Sequence, residues 1–112
     1  MEIIYLASPY SHPDRWVQFK RYEAVCQVAM KMFREGLFVY SPICHTVSIA
    51  EYGLPEGYKV WREFDHEMIR RCDKVVVLMM MGWKESVGVQ DEIKFALEIG
   101  KTVEYMEVPS DI

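Results

Sequence analysis

An uninterrupted apolar run from Val75 to Met81 constrains the fold of this chain more than any other feature of its sequence. The run is far too short to span a bilayer, which takes about 20 apolar residues. Its first part, Val75–Met79, is rich in β-branched side chains and shows no polar alternation. That pattern is typical of a strand buried on both faces of a parallel sheet. A sheet of this kind needs helices on both faces, so the run predicts an α/β fold.

Other short apolar segments alternate with helical patterns along the chain. The remaining predicted strands are Ile3–Ala7, Leu37–Tyr40 and Thr102–Tyr105. Apolar residues at helical spacing predict helices between Asp14 and Gly36, from Tyr58 to Cys72 and from Val89 to Ile99. Strands separated by helices favour parallel pairing through right-handed crossovers.

Three finer expectations accompany this pattern. The segment 43–57 is mixed, with a short helix through Ile49 and Ala50 and a turn at Pro55–Gly57. In the helix from Tyr58, one side is expected to face the core, with Asp65 flanking it. That side comprises Val60, Trp61, Phe64, Met68 and Ile69. The tail after Tyr105 is expected to fray.

Length, charge and cysteine content narrow the class of protein. The 112 residues suit one domain, 1–112, and leave no room for a second core. A net charge of −4 argues against a partner that is a nucleic acid polymer, but it permits binding of one small phosphate. Cys26, Cys44 and Cys72 are widely spaced, so neither a disulfide framework nor a zinc site is expected. Since no signal peptide is recognisable, we expect a cytoplasmic protein that does not associate with membranes.

Three loops should meet at one edge of the predicted sheet. Parallel α/β sheets bind ligands outside the carboxyl ends of their strands, where the strand order switches. The segments that follow the first three strands are Ser8–Tyr10, Ser41–His45 and Met80–Gly88. We therefore expect a ligand site among them.

The last of these loops leads into a helix that begins with two acidic residues. A helix start offers free N–H groups that suit a phosphate, and Gly88 permits close approach to the backbone, but Ser86 can equally be an ordinary capping residue. Asp91 falls on the solvent side. Glu92 shares a face with Ala96 and Ile99, so it points inward or lies at a partly exposed edge.

Several other residues near the predicted edge could carry chemistry. Asp65 would supply a second carboxylate, as glycosyl transfer commonly requires, or it is a surface acid. His45 could contact a substrate, whereas Cys44 beside it has no evident orienting partner. Met79–Met81 and Trp83 either pack in the core or line an apolar pocket.

An ordered set of motifs covers essentially the whole chain. The set comprises Ile4–Ser11, Ser41-Pro42-Ile43, Trp61-x-x-x-Asp65, Cys72-Asp73, Gly82-Trp83 and Ser86-x-Gly88-x-x-x-Glu92. In this order the motifs resemble the nucleoside 2-deoxyribosyltransferase superfamily, in particular its small bacterial and phage members. The resemblance implies a flavodoxin-like or Rossmann-like three-layer sandwich with a mostly parallel sheet of four to five strands. It also implies a homo-oligomer, a dimer or tetramer, that needs no cofactor.

The resemblance further implies cleavage of the N-glycosidic bond of a deoxynucleoside or its monophosphate. Glu92 would be the nucleophile, Asp65 would contact the sugar or assist proton transfer, and Tyr5 would hold the Glu92 carboxylate. Enzymes of this kind that act on free nucleosides tend to carry aspartate at position 86, whereas Ser86 favours a nucleotide. The expected substrate-binding residues are Ser8, Pro9, Tyr10, His45, Trp83, Ser86 and Gly88.

One segment departs from the resemblance, and two alternative functions remain open. Ser8–Ser11 replaces the glycine-rich phosphate loop of the monophosphate hydrolases. The leading hypothesis is an N-glycosidase or transferase that acts on a nucleoside 5′-monophosphate. The alternatives are a nucleotide-binding module or sensor without turnover, and a structural subunit with Trp83 in an oligomer interface.

Overall fold

The strands and helices alternate as the sequence predicts. The computed structural model describes residues 1–54 and 58–112. The strands are β1 Ile3–Ala7, β2 Phe38–Tyr40, β3 Lys74–Leu78 and β4 Thr102–Met106. The helices are α1 Arg15–Arg34, α2 Pro42–Ala50, α3 Tyr58–Arg71 and α4 Val87–Glu98. Apart from α2, these bounds lie within about three residues of the predicted ones, as is usual for element ends.

The strands form a four-stranded parallel sheet in the order β2-β1-β3-β4. In the β1 register, Tyr5 lies opposite Tyr40 on one side and Val75 on the other. This strand order is that of flavodoxin-like folds. The predicted α/β class and parallel sheet are therefore confirmed.

Two core clusters sandwich the sheet and make the fold three-layered. On one face, Tyr5 and Val77 of the sheet pack with Ile69 of α3 and Ile93 of α4. On the other face, the strands pack against α1 and the start of α2. The buried residues there are Ile4, Leu6, Val25, Val28, Met32, Val76 and Leu78. Residues 75–78 of β3 alternate their side chains between these two faces, which explains why this run contains no polar position.

Helix caps fix where the loops at the carboxyl edge end. Ser41 accepts a hydrogen bond from the Cys44 N–H at 3.1 Å, and Pro42 occupies the first position of α2. Proline there is preorganised for a helix, because its missing N–H would have no partner anyway. The prediction of a short helix around Ile49 and Ala50 was therefore too narrow, since α2 begins directly after Ser41. The predicted turn at Pro55–Gly57 lies outside the described residues.

The core face of α3 differs from the prediction. Val60 and Phe64 are exposed by 56% and 39%, whereas Asp65 is only 6% exposed and Ile69 is fully buried. Asp65 lies four residues before Ile69, so helical geometry places both on the inner face. Apolarity alone suggested the neighbouring stripe. The correction turns Asp65 from a flanking residue into an interior one.

The C-terminal tail is packed rather than frayed, which also corrects the prediction. Val108 and Ile112 pack against the cluster beside α1, and the Asp111 carboxylate forms an ion pair with Lys31. These contacts cover part of the sheet face beyond α1. Among the described residues, no helix is long and apolar enough to cross a membrane.

Candidate active site

The strand order places a switch point between β1 and β3. The chain leaves β1 toward β2 on one side and β3 toward β4 on the other, and α/β sheets bind their ligands outside the carboxyl ends of the strands at such a point. Arg21 of α1 ties together the two loops that border this point. Its guanidinium donates to the Ser11 carbonyl at 2.9 Å and to the Met81 carbonyl at 3.2 Å. Gly82 has φ 95°, a backbone conformation that favours glycine, and a Cβ there would displace the tip of the Arg21 side chain.

Tyr5 and Glu92 meet inside the protein at this edge. Tyr5, on β1, is fully buried, and Glu92, near the start of α4, is 4% exposed. The Tyr5 hydroxyl donates a hydrogen bond to Glu92 Oε2 across 87 positions of sequence. Of the two predicted orientations of Glu92, the inward one is therefore present. The Tyr5 hydroxyl holds its carboxylate beside β1.

Burial dominates the electrostatics of Glu92. The pKa of Glu92 is raised from 4.5 to about 8, mainly by loss of solvent; the Tyr5 hydrogen bond lowers it, and the charges of Asp65 and Asp91 raise it. Burial, followed by the charges of Glu92 and Asp65, also raises the pKa of Tyr5 well above 10.0. The tyrosine therefore stays protonated and can act only as donor to this carboxylate.

Asp65 supplies a second carboxyl group to the same interior. Burial raises the pKa of Asp65 from 3.8 to about 7. Its charge contributes to the raised pKa of Tyr5, Tyr40 and Glu92, which places the four groups within electrostatic reach. Two carboxyl groups that titrate near neutral pH, one of them held by a tyrosine, can divide the roles of nucleophile and proton donor.

Three buried polar atoms at this edge have no hydrogen-bond partner among the described residues. They are Ser8 Oγ after β1, Tyr40 Oη at the end of β2, and Asp65 Oδ1 on α3. Buried polar groups are nearly always paired, so a cluster of unpaired ones is a place where a polar ligand would supply the missing bonds. Sequence analysis named Ser8 and Asp65 but missed Tyr40. The only signal for Tyr40 was its position as the last residue of a predicted strand.

The remaining predicted substrate residues follow the strands at this edge of the sheet and differ in burial and in their contacts. Pro9 is buried and Tyr10 is half-buried after β1. His45 is exposed on α2, with its ring 5.9 Å from that of Tyr40. Trp83 is half-buried, and its ring lies 5.6 Å from that of Tyr105 on β4. Trp83 also packs against the core cluster on this face, so the structure assigns it core contacts.

Ser86 and Gly88 lie where the third loop enters α4. Ser86 is the N-cap residue, and its hydroxyl accepts a hydrogen bond from the Val89 N–H at 3.2 Å. Its proton remains available to donate to a ligand. Gly88 lies in the first turn of α4 rather than in the preceding loop, because the helix begins two residues earlier than predicted. The capping role proposed for Ser86 is confirmed, and a phosphate role stays a prediction.

Asp91 is engaged with α3 instead of facing solvent. Its carboxylate lies 2.6 Å from His66 Nε2 and 3.2 Å from an Arg62 guanidinium nitrogen. His66 and Asp91 each adjoin one of the two buried acids, Asp65 and Glu92. The ion pair thereby fixes the register of α3 against α4, and with it the relation of the two acids. The i, i+4 spacing of Arg62 and His66 was the available sequence signal for this contact.

Removing the Tyr5 hydroxyl should raise the pKa of Glu92 above about 8, because the hydrogen bond favours the ionised carboxylate. The measurement is a carboxyl ¹³C NMR titration of Tyr5→Phe beside wild type. Tyr40→Phe is the matched control, since it removes a buried hydroxyl that has no partner among the described residues. An unchanged Glu92 titration in Tyr5→Phe would contradict the assigned hydrogen bond.

The described residues form no candidate metal site. Across positions 1–54 and 58–112, no three His, Cys, Asp or Glu side chains come together in a way that could hold a metal ion.

Comparison with known proteins places this architecture. The structure resembles the 2-deoxyribosyltransferase of the psychrotolerant bacterium Bacillus psychrosaccharolyticus, a biocatalyst for the synthesis of nucleosides, with 27% identity and a TM-score of 0.57. The match covers 98% of this chain and 75% of that one. The chain thus has the fold of a nucleoside 2-deoxyribosyltransferase-like protein, a class of enzymes. No curated protein matches the sequence.

A family model describes the chain more closely. The model for a domain of unknown function, DUF1937, matches residues 2–108. The protein therefore belongs to the DUF1937 family.

Proposed function

We propose that this protein cleaves the N-glycosidic bond of a deoxynucleoside or nucleoside 5′-monophosphate, by hydrolysis or by transfer to a second base. The observation that carries the proposal is the buried Tyr5–Glu92 hydrogen bond at the carboxyl edge of the sheet, with Asp65 in electrostatic reach. The likeness to a 2-deoxyribosyltransferase supports glycosyl transfer on nucleosides as the general reaction.

In the first chemical step, a Glu92 carboxylate oxygen attacks the anomeric carbon of the sugar. A glycosyl–enzyme ester forms as the bond to the base breaks, and the leaving base takes a proton from Asp65. Water or a second base then attacks the same carbon, gives its proton to Asp65 and releases Glu92. The Tyr5 hydroxyl holds the attacking carboxylate in one rotamer throughout.

Both raised pKa values lie near neutral pH, and because the higher one belongs to Glu92, the form with Glu92 ionised and Asp65 protonated is the less populated singly protonated state. With a pKa of about 7, Asp65 retains a substantial protonated fraction at neutral pH. Glu92, at about 8, must lose its proton before it can attack. The two acids titrate as a pair, and the reactive form carries one proton for both, on Asp65. Activity should therefore fall at acidic pH, where Glu92 is protonated, and at alkaline pH, where Asp65 has lost its proton.

A 5′-phosphate would lie at the start of α4. The free proton of Ser86 and the unpaired N–H groups of the first helical turn can donate to its oxygens. Gly88 adds no side chain to obstruct this approach. An acid at position 86 would repel the phosphate, so the serine favours a nucleotide.

Ser86→Asp should raise the KM for a 5′-monophosphate by roughly tenfold or more, because the new carboxylate opposes the phosphate charge. The KM for the matching nucleoside should stay nearly unchanged. Aspartate and asparagine are both good N-cap residues, so α4 is expected to stay intact in either variant. Ser86→Asn is the neutral control of matched shape. Equal changes in KM for nucleotide and nucleoside, or equal changes in the two variants, would show that the phosphate does not bind at this position.

The reaction is tested by chromatography of free base after incubation with a panel of deoxynucleoside and nucleoside 5′-monophosphates. Each is paired with its nucleoside, with and without an added acceptor base. We expect base release from at least one monophosphate. Base exchange with the acceptor would assign transfer, and release in its absence would assign hydrolysis. Release no faster than in a blank without protein across the panel would overturn the proposal.

A nucleotide-binding module without turnover is the second candidate. It is favoured by the raised pKa of Glu92, which leaves most of this carboxyl protonated at neutral pH. A module of this kind would bind nucleotides saturably, release no base and keep its affinity when Glu92 is replaced. Calorimetric titration with nucleotides that give no base release distinguishes it from the enzyme.

A further inference from the structure

Two thiols lie side by side between α1 and α2. Cys26 of α1 and Cys44 of α2 are free cysteines, half-buried, with their sulfur atoms 3.0 Å apart. A disulfide bond joins sulfurs at about 2.05 Å, so closing the pair takes a movement of about 1 Å. The third thiol, Cys72, is buried in the cluster on the opposite face of the sheet. Sequence spacing alone gave no hint of this juxtaposition.

We propose that Cys26 and Cys44 form an oxidisable dithiol site, which low-molecular-mass disulfides such as oxidised glutathione convert reversibly into an intramolecular disulfide. In the first step one protein thiolate attacks the small disulfide, forms a mixed disulfide and releases one small thiol. The second protein thiolate then attacks the mixed disulfide, joins the two cysteines and releases the other small thiol. Two protein thiols are oxidised and one small disulfide is reduced to two thiols.

The surroundings of the pair suggest which sulfur reacts first. Burial and the hydrogen bond with Cys44 raise the pKa of the Cys26 thiol to about 12. Because Cys26 donates the S–H···S hydrogen bond to Cys44, this bond stabilises the thiolate of Cys44, which should attack first and form the mixed disulfide. Cys26 is then the resolving thiol, already in contact with the sulfur that it must attack.

The bond would join α1 to α2, the helix that follows β2 at the carboxyl edge of the sheet. α2 begins at Pro42, directly after Tyr40 and Ser41, and carries His45, whose ring faces that of Tyr40. Oxidation would thereby fix the position of α2 relative to α1. It would also close a loop between residues 18 positions apart, which restricts the unfolded chain.

The test uses the reduced, full-length protein with oxidised glutathione, followed by intact and peptide mass spectrometry. We expect wild type to lose two hydrogens, to yield a cross-linked Cys26–Cys44 peptide and to recover with dithiothreitol. Cys72→Ser should behave identically. Cys26→Ser should keep one glutathione on Cys44, whereas Cys44→Ser should react far more slowly. The oxidised wild type should melt at least about 5 °C higher than the reduced protein.

Several results would overturn the site. Wild type that stays fully reduced under native conditions, but oxidises once unfolded in urea, would show that the folded pair cannot close. A stable mixed disulfide without cross-linking, or a cross-link that includes Cys72, would have the same meaning. Circular dichroism of each serine variant establishes that it is folded, and the wild-type result decides the question without them.

Discussion

Replacing Glu92 with glutamine should lower the rate of base release by about 10³-fold or more, because the amide cannot act as the nucleophile. The substitution keeps the shape of the side chain and an oxygen that can accept the Tyr5 hydrogen bond, so the fold should survive. The measurement is single-turnover release of base from the best monophosphate in the panel. With slow substrates, intact mass spectrometry should detect the glycosyl–enzyme ester in wild type and its absence in Glu92→Gln.

Glu98→Gln is the matched control for this variant. Glu98 lies on the same helix and is exposed, so neutralising it removes a charge without touching the buried pair. Its rate of base release should stay within about twofold of wild type. Activity of Glu92→Gln equal to that of Glu98→Gln would exclude Glu92 as the nucleophile.

The same substitution should stabilise the fold at alkaline pH. The folded pKa of Glu92, about 8, lies above its ordinary value of 4.5, so folding favours the protonated form. That contribution is complete below pH 4.5 and is lost as the pH rises through about 8. Above that pH, wild type must keep a buried charge that glutamine does not carry. The melting temperature of Glu92→Gln should therefore exceed that of wild type at alkaline pH and match it in acid.

Replacing Asp65 with asparagine should lower kcat/KM by about 10²-fold or more, because the leaving base loses its proton donor. The alkaline limb of the pH profile should also disappear. In wild type, activity should fall at alkaline pH, above the pKa values of both acids, because Asp65 has then lost its proton. Asparagine has no proton to lose, so its residual activity should no longer fall on the alkaline side.

A substrate whose leaving group needs no proton separates acid catalysis from positioning. With p-nitrophenolate in place of the base, Asp65→Asn should recover most of the wild-type rate if Asp65 acts as proton donor. Glu63→Gln, on the same helix and exposed, is the control and should leave both substrates unaffected. Equal losses on both leaving groups would assign Asp65 to sugar positioning instead.

Local patterns predicted those parts of the site that depend on local structure. The helix start at Ser86 and the inward phase of Glu92 follow from capping and from the 3.6-residue period, and both are present. The same reasoning put Phe64 on the core face of α3 and left Asp65 beside it, because apolarity was the only guide. Ile69, four residues later, set the actual phase through its packing against the sheet.

Long-range contacts could not be predicted in the same way. Tyr5 and Glu92 are 87 positions apart, and their hydrogen bond exists because β1 and α4 pack on the same face of the sheet. The hydrogen bond from the Arg21 guanidinium to the Met81 carbonyl likewise joins two residues that are 60 positions apart. The Arg21 contact leaves no trace in the spacing or type of the residues around it, and the Tyr5–Glu92 contact was expected only from the resemblance to the nucleoside 2-deoxyribosyltransferase superfamily.

The sequence by itself determined the alternation of strands and helices, the parallel sheet and the loops that share its carboxyl edge. These follow from side-chain periodicity, β-branching and capping, which act over a few residues. Only the tertiary structure decided that Asp65 is interior and that Cys26 touches Cys44, and it showed the Tyr5–Glu92 hydrogen bond that the resemblance had implied. It also decided the acidity of the two carboxyl groups, because a pKa depends on how much water and which charges the folded chain leaves around them.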